Sequence, residues 1–207
     1  MYIDYYYAPI SGYAYLGEPR LVEIAAKWDV TIRYKPVDIV RVFAEAGTVP
    51  PPKQSKARLE YRLLDLQRNA DYLQLPINPR PRFWPVPVEL AARSIYAAVE
   101  LGLDAHRLSF AILTAVYAQE KDVSNEEVMK ALLASLALDV EPFWDRVWSE
   151  SVGQAFETAT QEAIALGVFG SPTYAVSTGD TSSEAKTLFF GQDRLHLLDH
   201  HLAQHLA

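Results

Sequence analysis

At the start of the chain, the spacing of apolar residues changes from a strand pattern to a helix pattern and back to a strand pattern. Met1–Tyr7 is rich in aromatic and branched residues and predicts a strand, whereas Pro and Gly in Ala8–Gly12 predict a turn. Over Tyr13–Trp28 apolar residues recur every three or four positions, which is typical of an amphipathic helix. Val30–Val37 alternates and predicts a second strand, and its Pro36 favours a strand end or edge. This order fits a right-handed parallel crossover.

Strand character returns near the end of the chain. Ser171–Val176 predicts a strand, a polar loop follows over Ser177–Lys186, and Thr187–Phe190 predicts a short last strand. Gly191–Asp193 predicts a turn. The apolar spacing over Leu195–Leu206 predicts a final helix.

The middle of the chain is predominantly helical in pattern. A short helical piece is expected over Asp38–Phe43, and Gly47–Pro52 contains helix breakers. Pro76–Pro87 is too rich in proline for a regular element, so we expect an extended loop there, with Phe83 and Trp84 pointing inward. Helices are predicted over Lys56–Leu73, Val88–Leu101, Ala105–Gln119, from Ser124 to about Leu136, Val140–Trp148 and Ser151–Leu166.

The order of these elements predicts an α/β domain interrupted by a large all-helical insertion. A β-α-β unit opens the chain and an α-β-β-α unit closes it, and no single linker separates two consecutive domains. We place the discontinuous α/β domain at residues 1–46 plus 165–207 and the helical insertion at residues 47–164.

The amino-acid composition excludes several kinds of functional site. The 207 residues include no cysteine, which excludes disulfides, thiolate metal sites and a thiol nucleophile of the protein itself. The formal net charge of −7 argues against a fold-wide basic surface for nucleic acid. Four of the five histidines lie in Leu195–Leu206, where solvated cations near a helix end are expected rather than a metal site. No signal peptide or apolar run of about 20 residues is evident, so we expect a soluble cytoplasmic protein that does not enter membranes.

Ser11 is the first residue that could carry chemistry, because it lies between a predicted strand and a predicted helix. Serine caps helices well, and that role alone would explain the residue. A helix N-terminus also stabilises anions, and a serine hydroxyl there could donate a hydrogen bond to a thiolate on another molecule. Without a neighbouring base, Ser11 is a poor nucleophile.

Two turns near the end of the chain are further candidates. A cis Pro172 would leave the backbone N–H and C=O of Ser171 free to pair with an extended ligand, although a trans proline at a strand start is the commoner case. The Gln192–Asp193 turn could bind an amino-acid zwitterion through main-chain N–H groups and the Asp193 carboxylate. Asp193 could equally cap the last helix.

In combination these segments resemble a known family. The chain resembles 2-hydroxychromene-2-carboxylate isomerases over essentially its whole length. These enzymes belong with kappa-class glutathione transferases in the DsbA-like branch of the thioredoxin superfamily. The segments that carry it, in order, are Tyr5–Leu16 (YYYAPISGYAYL), Tyr61–Ala70 (YRLLDLQRNA), Phe83–Pro85 (FWP), Phe169–Thr173 (FGSPT) and Phe190–Arg194 (FGQDR).

The resemblance implies a thioredoxin-like domain with the helical insertion, a homodimer, and glutathione as cofactor. A serine at the position of Ser11 hydrogen-bonds the glutathione sulfur in this family. The residue before a cis proline, here Ser171 before Pro172, pairs with the tripeptide backbone. The turn of Gln192 and Asp193 holds the γ-glutamyl end.

The chain departs from the family pattern at three positions. Gly12 stands where many relatives have proline after the serine. Thr48 stands at the position of an asparagine that helps to hold glutathione in relatives. Arg58 stands at the position of a glutathione-binding lysine, with Lys56 as a competing alignment, and Arg58 keeps the positive charge.

The resemblance implies interconversion of 2-hydroxychromene-2-carboxylate, a small aromatic substrate, with trans-o-hydroxybenzylidenepyruvate. A glutathione thiolate would add transiently to the enone, so that rotation about the former double bond becomes easy. A kappa-like transferase acting on another electrophile is one alternative. A non-catalytic DsbA-like binding module is the other.

Overall fold

The computed structural model describes residues 1–177 and 186–206. The strands are β1 (Tyr2–Tyr7), β2 (Thr31–Pro36), β3 (Thr173–Ser177) and β4 (Thr187–Phe190). The helices are α1 (Gly12–Trp28), α2 (Ile39–Glu45), α3 (Lys56–Leu73), α4 (Glu89–Glu100), α5 (Ala105–Tyr117), α6 (Glu126–Ser135), α7 (Val140–Val147), α8 (Glu150–Ala165) and α9 (Leu195–Leu206), with short 3-10 turns at Pro51–Lys53 and Gln192–Arg194.

The sheet joins the two ends of the chain. Its strand order is β2-β1-β3-β4, with β1 parallel to β2 and antiparallel to β3, and with β4 antiparallel to β3. The predicted parallel pairing of the first two strands is therefore confirmed, and β2 is an edge strand that ends at Pro36. Helices α3 to α8 lie between the two halves of the sheet in sequence, which confirms an α/β fold with a helical insertion. The domain boundaries at residues 46/47 and 164/165 stay predictions. Helices α4 and α8 of the insertion pack directly against strand β2 of the sheet.

The consecutive tyrosines of β1 connect the sheet to helices on both of its faces. Tyr5 and Tyr7 lie on one face, where their rings stack with centroids 4.1 Å apart, and the Tyr7 hydroxyl is 2.7 Å from the Ser109 hydroxyl of α5. Tyr6 lies on the other face and donates a 3.2 Å hydrogen bond to Glu162 of α8. The central strand is therefore fixed from both sides by buried side chains.

A buried carboxylate ties α1 to its neighbours. Glu18 on α1 is fully buried and accepts hydrogen bonds from the hydroxyls of Ser109 at 2.8 Å and Tyr5 at 3.4 Å. His106 Nδ1 lies 3.1 Å from the same carboxylate. Burial raises the pKa of Glu18, and the hydrogen bonds from His106 and Ser109 oppose that rise. The hydrogen bond to Glu18 in turn raises the pKa of His106.

The predicted helix bounds are confirmed closely where an apolar stripe and a cap coincide. α3 spans Lys56–Leu73 as predicted, and the Ser55 hydroxyl accepts a hydrogen bond from the backbone N–H of Arg58. α9 likewise spans Leu195–Leu206 as predicted. No helix of the described residues is long and apolar enough to cross a membrane. Of the predicted polar loop Ser177–Lys186, residues 178–185 lie outside the described residues.

The predicted loop over Pro76–Pro87 contains no helix or strand. Within it, Trp84 packs against the core as expected. Phe83 remains 39% exposed, so the expectation that it also points inward is wrong. The Arg82 guanidinium lies over the Phe83 ring, 5.2 Å from its centroid, and this cation–π contact stabilises the ring at the surface.

Gly12 permits a close approach between α1 and the helical insertion. A Cβ atom at this position would lie 2.9 Å from Leu66 Cδ2 and 3.0 Å from Tyr117 Cζ, and both of those side chains are fully buried. The glycine therefore fits the packing of this chain, and the proline that the family resemblance would imply at this position would meet the same two side chains.

Gly12→Ala should lower the free energy of unfolding by about 1–2 kcal/mol. Overpacking costs about 1–3 kcal/mol, and replacing a helical glycine by alanine recovers at most about 1 kcal/mol. Denaturant unfolding measures the change. The cost should shrink when Leu66→Ala provides room, so an equal cost in both backgrounds would contradict the packing explanation.

Candidate functional site

A single large cleft brings together most of the residues that sequence analysis selected. Its volume is about 1480 Å³, larger than the roughly 300–1,000 Å³ typical of a small-molecule site. The cleft lies between the start of α1, the α2–α3 segment, the start of α3, the Trp84 loop and the segment before β3. Of the predicted site residues, Ser11, Thr48, Arg58 and Ser171 line it.

Ser11 occupies the N-cap of α1, so the helix-cap interpretation is part of its role. Its backbone is extended, and its hydroxyl oxygen accepts a 3.3 Å hydrogen bond from the N–H of Ala14. The same hydroxyl donates a 3.3 Å hydrogen bond to the backbone carbonyl of Ser171. Ser11 is therefore both the cap of α1 and a hydrogen-bond donor to Ser171. Its hydroxyl lies at the N-terminus of α1, which is the positive end of the helix dipole.

Ser171 faces Ser11 from the opposite end of the chain. The Ser171–Pro172 peptide bond is cis. The Ser171 hydroxyl accepts a 2.9 Å hydrogen bond from the N–H of Ala8, which fastens this turn to the end of β1. Within the described residues, the backbone N–H of Ser171 has no hydrogen-bond partner, and the carbonyl accepts only the long bond from Ser11.

The backbone carbonyl of Ile10 fixes the segment that presents Ser11. It accepts hydrogen bonds from Trp84 Nε1 at 2.9 Å and from the Tyr117 hydroxyl at 3.1 Å. The two donors come from the Pro-rich loop and from α5. Both belong to the helical insertion, so the inserted helices orient the residue before Ser11.

Thr48 and Arg58 lie on the side of the cleft formed by the segment after α2 and the start of α3. The Thr48 hydroxyl donates a 2.9 Å hydrogen bond to the carbonyl of Phe169, which ties this segment to the turn before Ser171. Arg58 is exposed and forms no ion pair within the described residues. Lys56, the competing alignment, does not line the cleft and lies 3.8 Å from Glu60.

The turn of Gln192 and Asp193 lies beside the cleft but does not line it, and neither does Pro172. The Gln192 side chain is buried, donating to Asn69 Oδ1 at 2.9 Å and accepting from Arg20 at 3.5 Å. The Gln192 side chain is therefore already occupied. The exposed Asp193 carboxylate pairs with Arg194 at 3.0 Å.

Tyr13 and Asp65 lie in the segments that carry the family resemblance, but the contact between them was not predicted, and the structure places it next to Ser11. The Tyr13 hydroxyl donates a 2.8 Å hydrogen bond to Asp65 of α3, and burial raises the pKa of Tyr13, with the Asp65 contact adding to the rise. Arg62, one turn after Arg58, stacks over the ring of Tyr13. The spacing of Arg58, Arg62 and Asp65 along one helix face was the available signal, but the sequence does not show which face meets the cleft.

The charged residues that line the cleft are mainly cationic. They are Lys53, Arg58 and Arg62 against Asp38 and Glu89. The Asp38 carboxylate is occupied in capping α2, where it accepts hydrogen bonds from the N–H groups of Val40 and Arg41. Within the described residues no cluster of side chains could hold a metal ion. The arrangement suits an anionic organic ligand.

The fold and this cleft define a class of protein. The chain belongs to the DSBA-like thioredoxin domain family, whose model matches residues 2–203. It is 26% identical over 204 residues to 2-hydroxychromene-2-carboxylate isomerase from Pseudomonas putida, covering 96% of this chain and 93% of the relative. It is 28% identical over 205 residues to glutathione S-transferase kappa 1 from Caenorhabditis elegans, covering 95% and 88%.

A solved structure agrees with these relatives. The structure of a 2-hydroxychromene-2-carboxylate isomerase superposes with a TM-score of 0.78 at 26% identity and covers 99% of this chain and 95% of that chain. The relatives are isomerases and glutathione transferases, which supports an enzyme of the DsbA-like class. The resemblance inferred from sequence motifs is thereby confirmed at the level of the family.

The two donors to the Ile10 carbonyl should act non-additively. Trp84→Phe or Tyr117→Phe alone leaves one donor, but the double variant leaves a buried carbonyl without either. We expect the double variant to lose about 1–3 kcal/mol more stability than the sum of the single variants, measured by denaturant unfolding. Tyr96→Phe, which removes a 3.0 Å buried hydrogen bond to the Pro36 carbonyl, is the matched control and should add to Trp84→Phe without coupling. Additive loss in the first pair would contradict this account of how Ile10 is held.

Proposed function

We propose that this protein is a glutathione-dependent isomerase that interconverts 2-hydroxychromene-2-carboxylate, or a related aromatic intermediate, with trans-o-hydroxybenzylidenepyruvate. The observation that carries the proposal is the Ser11 hydroxyl, which lies at the N-terminus of α1 against the Ser171 carbonyl, in a chain that has no cysteine. A thiol must then come from a second molecule. Relatives named as isomerases and kappa-class glutathione transferases, each about as long as this chain, support the same choice.

The residues around the cleft fit glutathione. Ser171 offers an unpaired N–H and a weakly used carbonyl, which suit the backbone of an extended peptide. Arg58 is an exposed cation without an ion-pair partner among the described residues and suits a carboxylate. Thr48 donates to Phe169, so it has only its oxygen lone pairs left to offer a ligand. The exposed Asp193 and the main chain of Gln192 would hold the γ-glutamyl end.

Glutathione would supply a thiolate that adds to an enone carbon and later leaves it. Ser11 supports that charge in two ways. Its hydroxyl donates a hydrogen bond, and its position at the start of α1 places the charge at the positive end of a helix. Both effects favour a thiolate over a thiol, whose unperturbed pKa is about 8.5.

The Ser11–Ser171 hydrogen bond couples the two halves of the site. The Ser11 hydroxyl has one proton, and in the structure it points to the Ser171 carbonyl over a long 3.3 Å. A thiolate is a charged acceptor and competes well for that proton. Turning the hydroxyl towards the thiolate frees the Ser171 carbonyl to accept an N–H from the peptide. Thiolate stabilisation and backbone pairing would therefore reinforce each other.

A kappa-like glutathione transferase is the second candidate, because the relative from Caenorhabditis elegans carries that name at 28% identity. The same groups would serve either reaction. An isomerase returns glutathione unchanged, whereas a transferase consumes it, so counting glutathione over many turnovers separates the two. A homodimer in the cytoplasm is part of our proposal, and it rests on the family resemblance. A binding module without activity predicts glutathione affinity but no turnover in either assay.

Ser11→Ala should reduce kcat by about 100-fold, since removal of one positioned donor typically costs 10²–10³. The dissociation constant for glutathione should change by less than about tenfold, because Ser171, Arg58 and the Asp193 turn remain. Steady-state kinetics and calorimetry measure the two quantities separately.

Ser149→Ala provides a matched control for this variant. Ser149 caps α8 with the same 3.3 Å geometry and does not line the cleft. Both substitutions should cost about 1 kcal/mol of stability as lost helix caps, and only Ser11→Ala should lose activity. Full activity in Ser11→Ala would contradict the proposed role, and turnover by dialysed enzyme without added glutathione would contradict the cofactor.

A further inference from the structure

We propose that Arg62 binds the carboxylate of the aromatic substrate and thereby determines which substrates the cleft accepts. This inference rests on the proposed function, because it names a specificity residue of the same site. Arg62 lies in the Tyr61–Ala70 segment that carries the family resemblance, but it is not among the residues assigned to glutathione. The inference depends on three features of the structure.

The first feature is that the Arg62 guanidinium lies over two aromatic rings that line the cleft. Its guanidinium lies 4.9 Å from the centroid of the Trp84 ring and 5.5 Å from that of Tyr13. A guanidinium over ring faces keeps its N–H donors directed outward from its edges. One of these donors reaches the Tyr117 hydroxyl. Because a guanidinium carries five N–H donors, others are available to a planar carboxylate in the cleft that Arg62 lines.

The second feature is that both rings are themselves fixed. Trp84 Nε1 donates to the Ile10 carbonyl at 2.9 Å, and the Tyr13 hydroxyl donates to Asp65 at 2.8 Å. Ile10 directly precedes Ser11, and Tyr13 follows it by two residues. A carboxylate bound by Arg62 would therefore lie beside the segment that presents the Ser11 hydroxyl. The flanking rings provide apolar surface for the aromatic part of the same molecule.

The third feature is the unpaired charge. Within the described residues Arg62 forms no ion pair with any Asp or Glu, although it is partly buried. The other cations that line the cleft, Lys53 and Arg58, are exposed. A partly buried cation is screened less by water and therefore attracts an anion more strongly.

A carboxylate could come from glutathione or from the substrate, and the aromatic surroundings favour the substrate. Arg58 lies one turn earlier on α3, is exposed, and suits a carboxylate of the peptide. The two arginines would then divide two anions between them. This division makes opposite predictions for two probes, S-methylglutathione and a simple aromatic acid.

Calorimetry with cinnamate and with neutral cinnamamide tests the proposal without turnover. Hydrogen bonds to charged groups are strong enough for wild type to bind cinnamate about 10- to 100-fold more tightly than cinnamamide. Arg62→Met should bring this ratio close to one and leave S-methylglutathione binding unchanged. If Arg62→Met does not fold, Arg62→Gln keeps polarity and approximate size without charge and should give the same loss.

Two matched variants complete the experiment. Arg68→Met changes an exposed arginine on α3 that does not line the cleft and should keep the wild-type ratio. Arg58→Met should weaken S-methylglutathione binding and keep the ratio. A folded Arg62→Met that retains the preference for cinnamate would overturn the proposal, as would equal loss of S-methylglutathione binding. Absence of isomerase turnover together with the expected ratios would reject the proposed reaction but support Arg62 as the carboxylate site.

Discussion

The contact between Ser171 and the segment from Ala8 to Ser11 is the constraint on which the site depends. Two hydrogen bonds form it: Ala8 N–H donates to the Ser171 hydroxyl, and the Ser11 hydroxyl donates to the Ser171 carbonyl. The partners are 160 or more residues apart in sequence. They meet because β1 and β3 pair directly, with Tyr6 opposite Thr173. The insertion of helices between these strands leaves that pairing intact and adds one wall of the cleft.

Buried polar groups hold α1 in place behind this contact. Glu18 lies two turns after Ser11 on the same helix and is satisfied by Ser109, Tyr5 and His106. A buried carboxylate without such partners would cost several kcal/mol, so these groups form one structural unit. The unit connects β1, α1 and α5. The orientation of the helix N-terminus therefore depends on the inserted helix α5 as well as on the sheet.

Local signals in the sequence were sufficient for most of the fold. The apolar stripe and the serine cap of α3 define its bounds, and Pro36 marks the end of an edge strand because proline cannot donate to a sheet. The inward position of Phe83 was predicted wrongly, since the contact that holds it at the surface is with Arg82, a side chain whose direction sequence does not reveal.

The site was only partly predictable, because several of its contacts join segments that are distant in sequence. Ser11 and Ser171 each lie beside a local turn signal, and family motifs joined them. Arg62 lies in a family segment, but the sequence does not show what it contacts, because its partners Tyr13 and Trp84 come from the start of α1 and from a proline-rich loop. Their meeting depends on how three segments pack together. The fixed rings and the unpaired guanidinium become visible only in three dimensions.

The central claim is that Ser11 keeps a borrowed thiolate charged, and a titration of bound glutathione tests it most directly. The chain has no cysteine, so any thiolate absorbance in the ultraviolet comes from glutathione. Burial raises the pKa of Tyr5 and Tyr7, which keeps these two phenols uncharged in the neutral range. We predict a thiol pKa at least about one unit below the ordinary value of about 8.5 in wild type, and a return towards that value in Ser11→Ala. An unshifted pKa in wild type, or the same pKa in both proteins, would contradict the account.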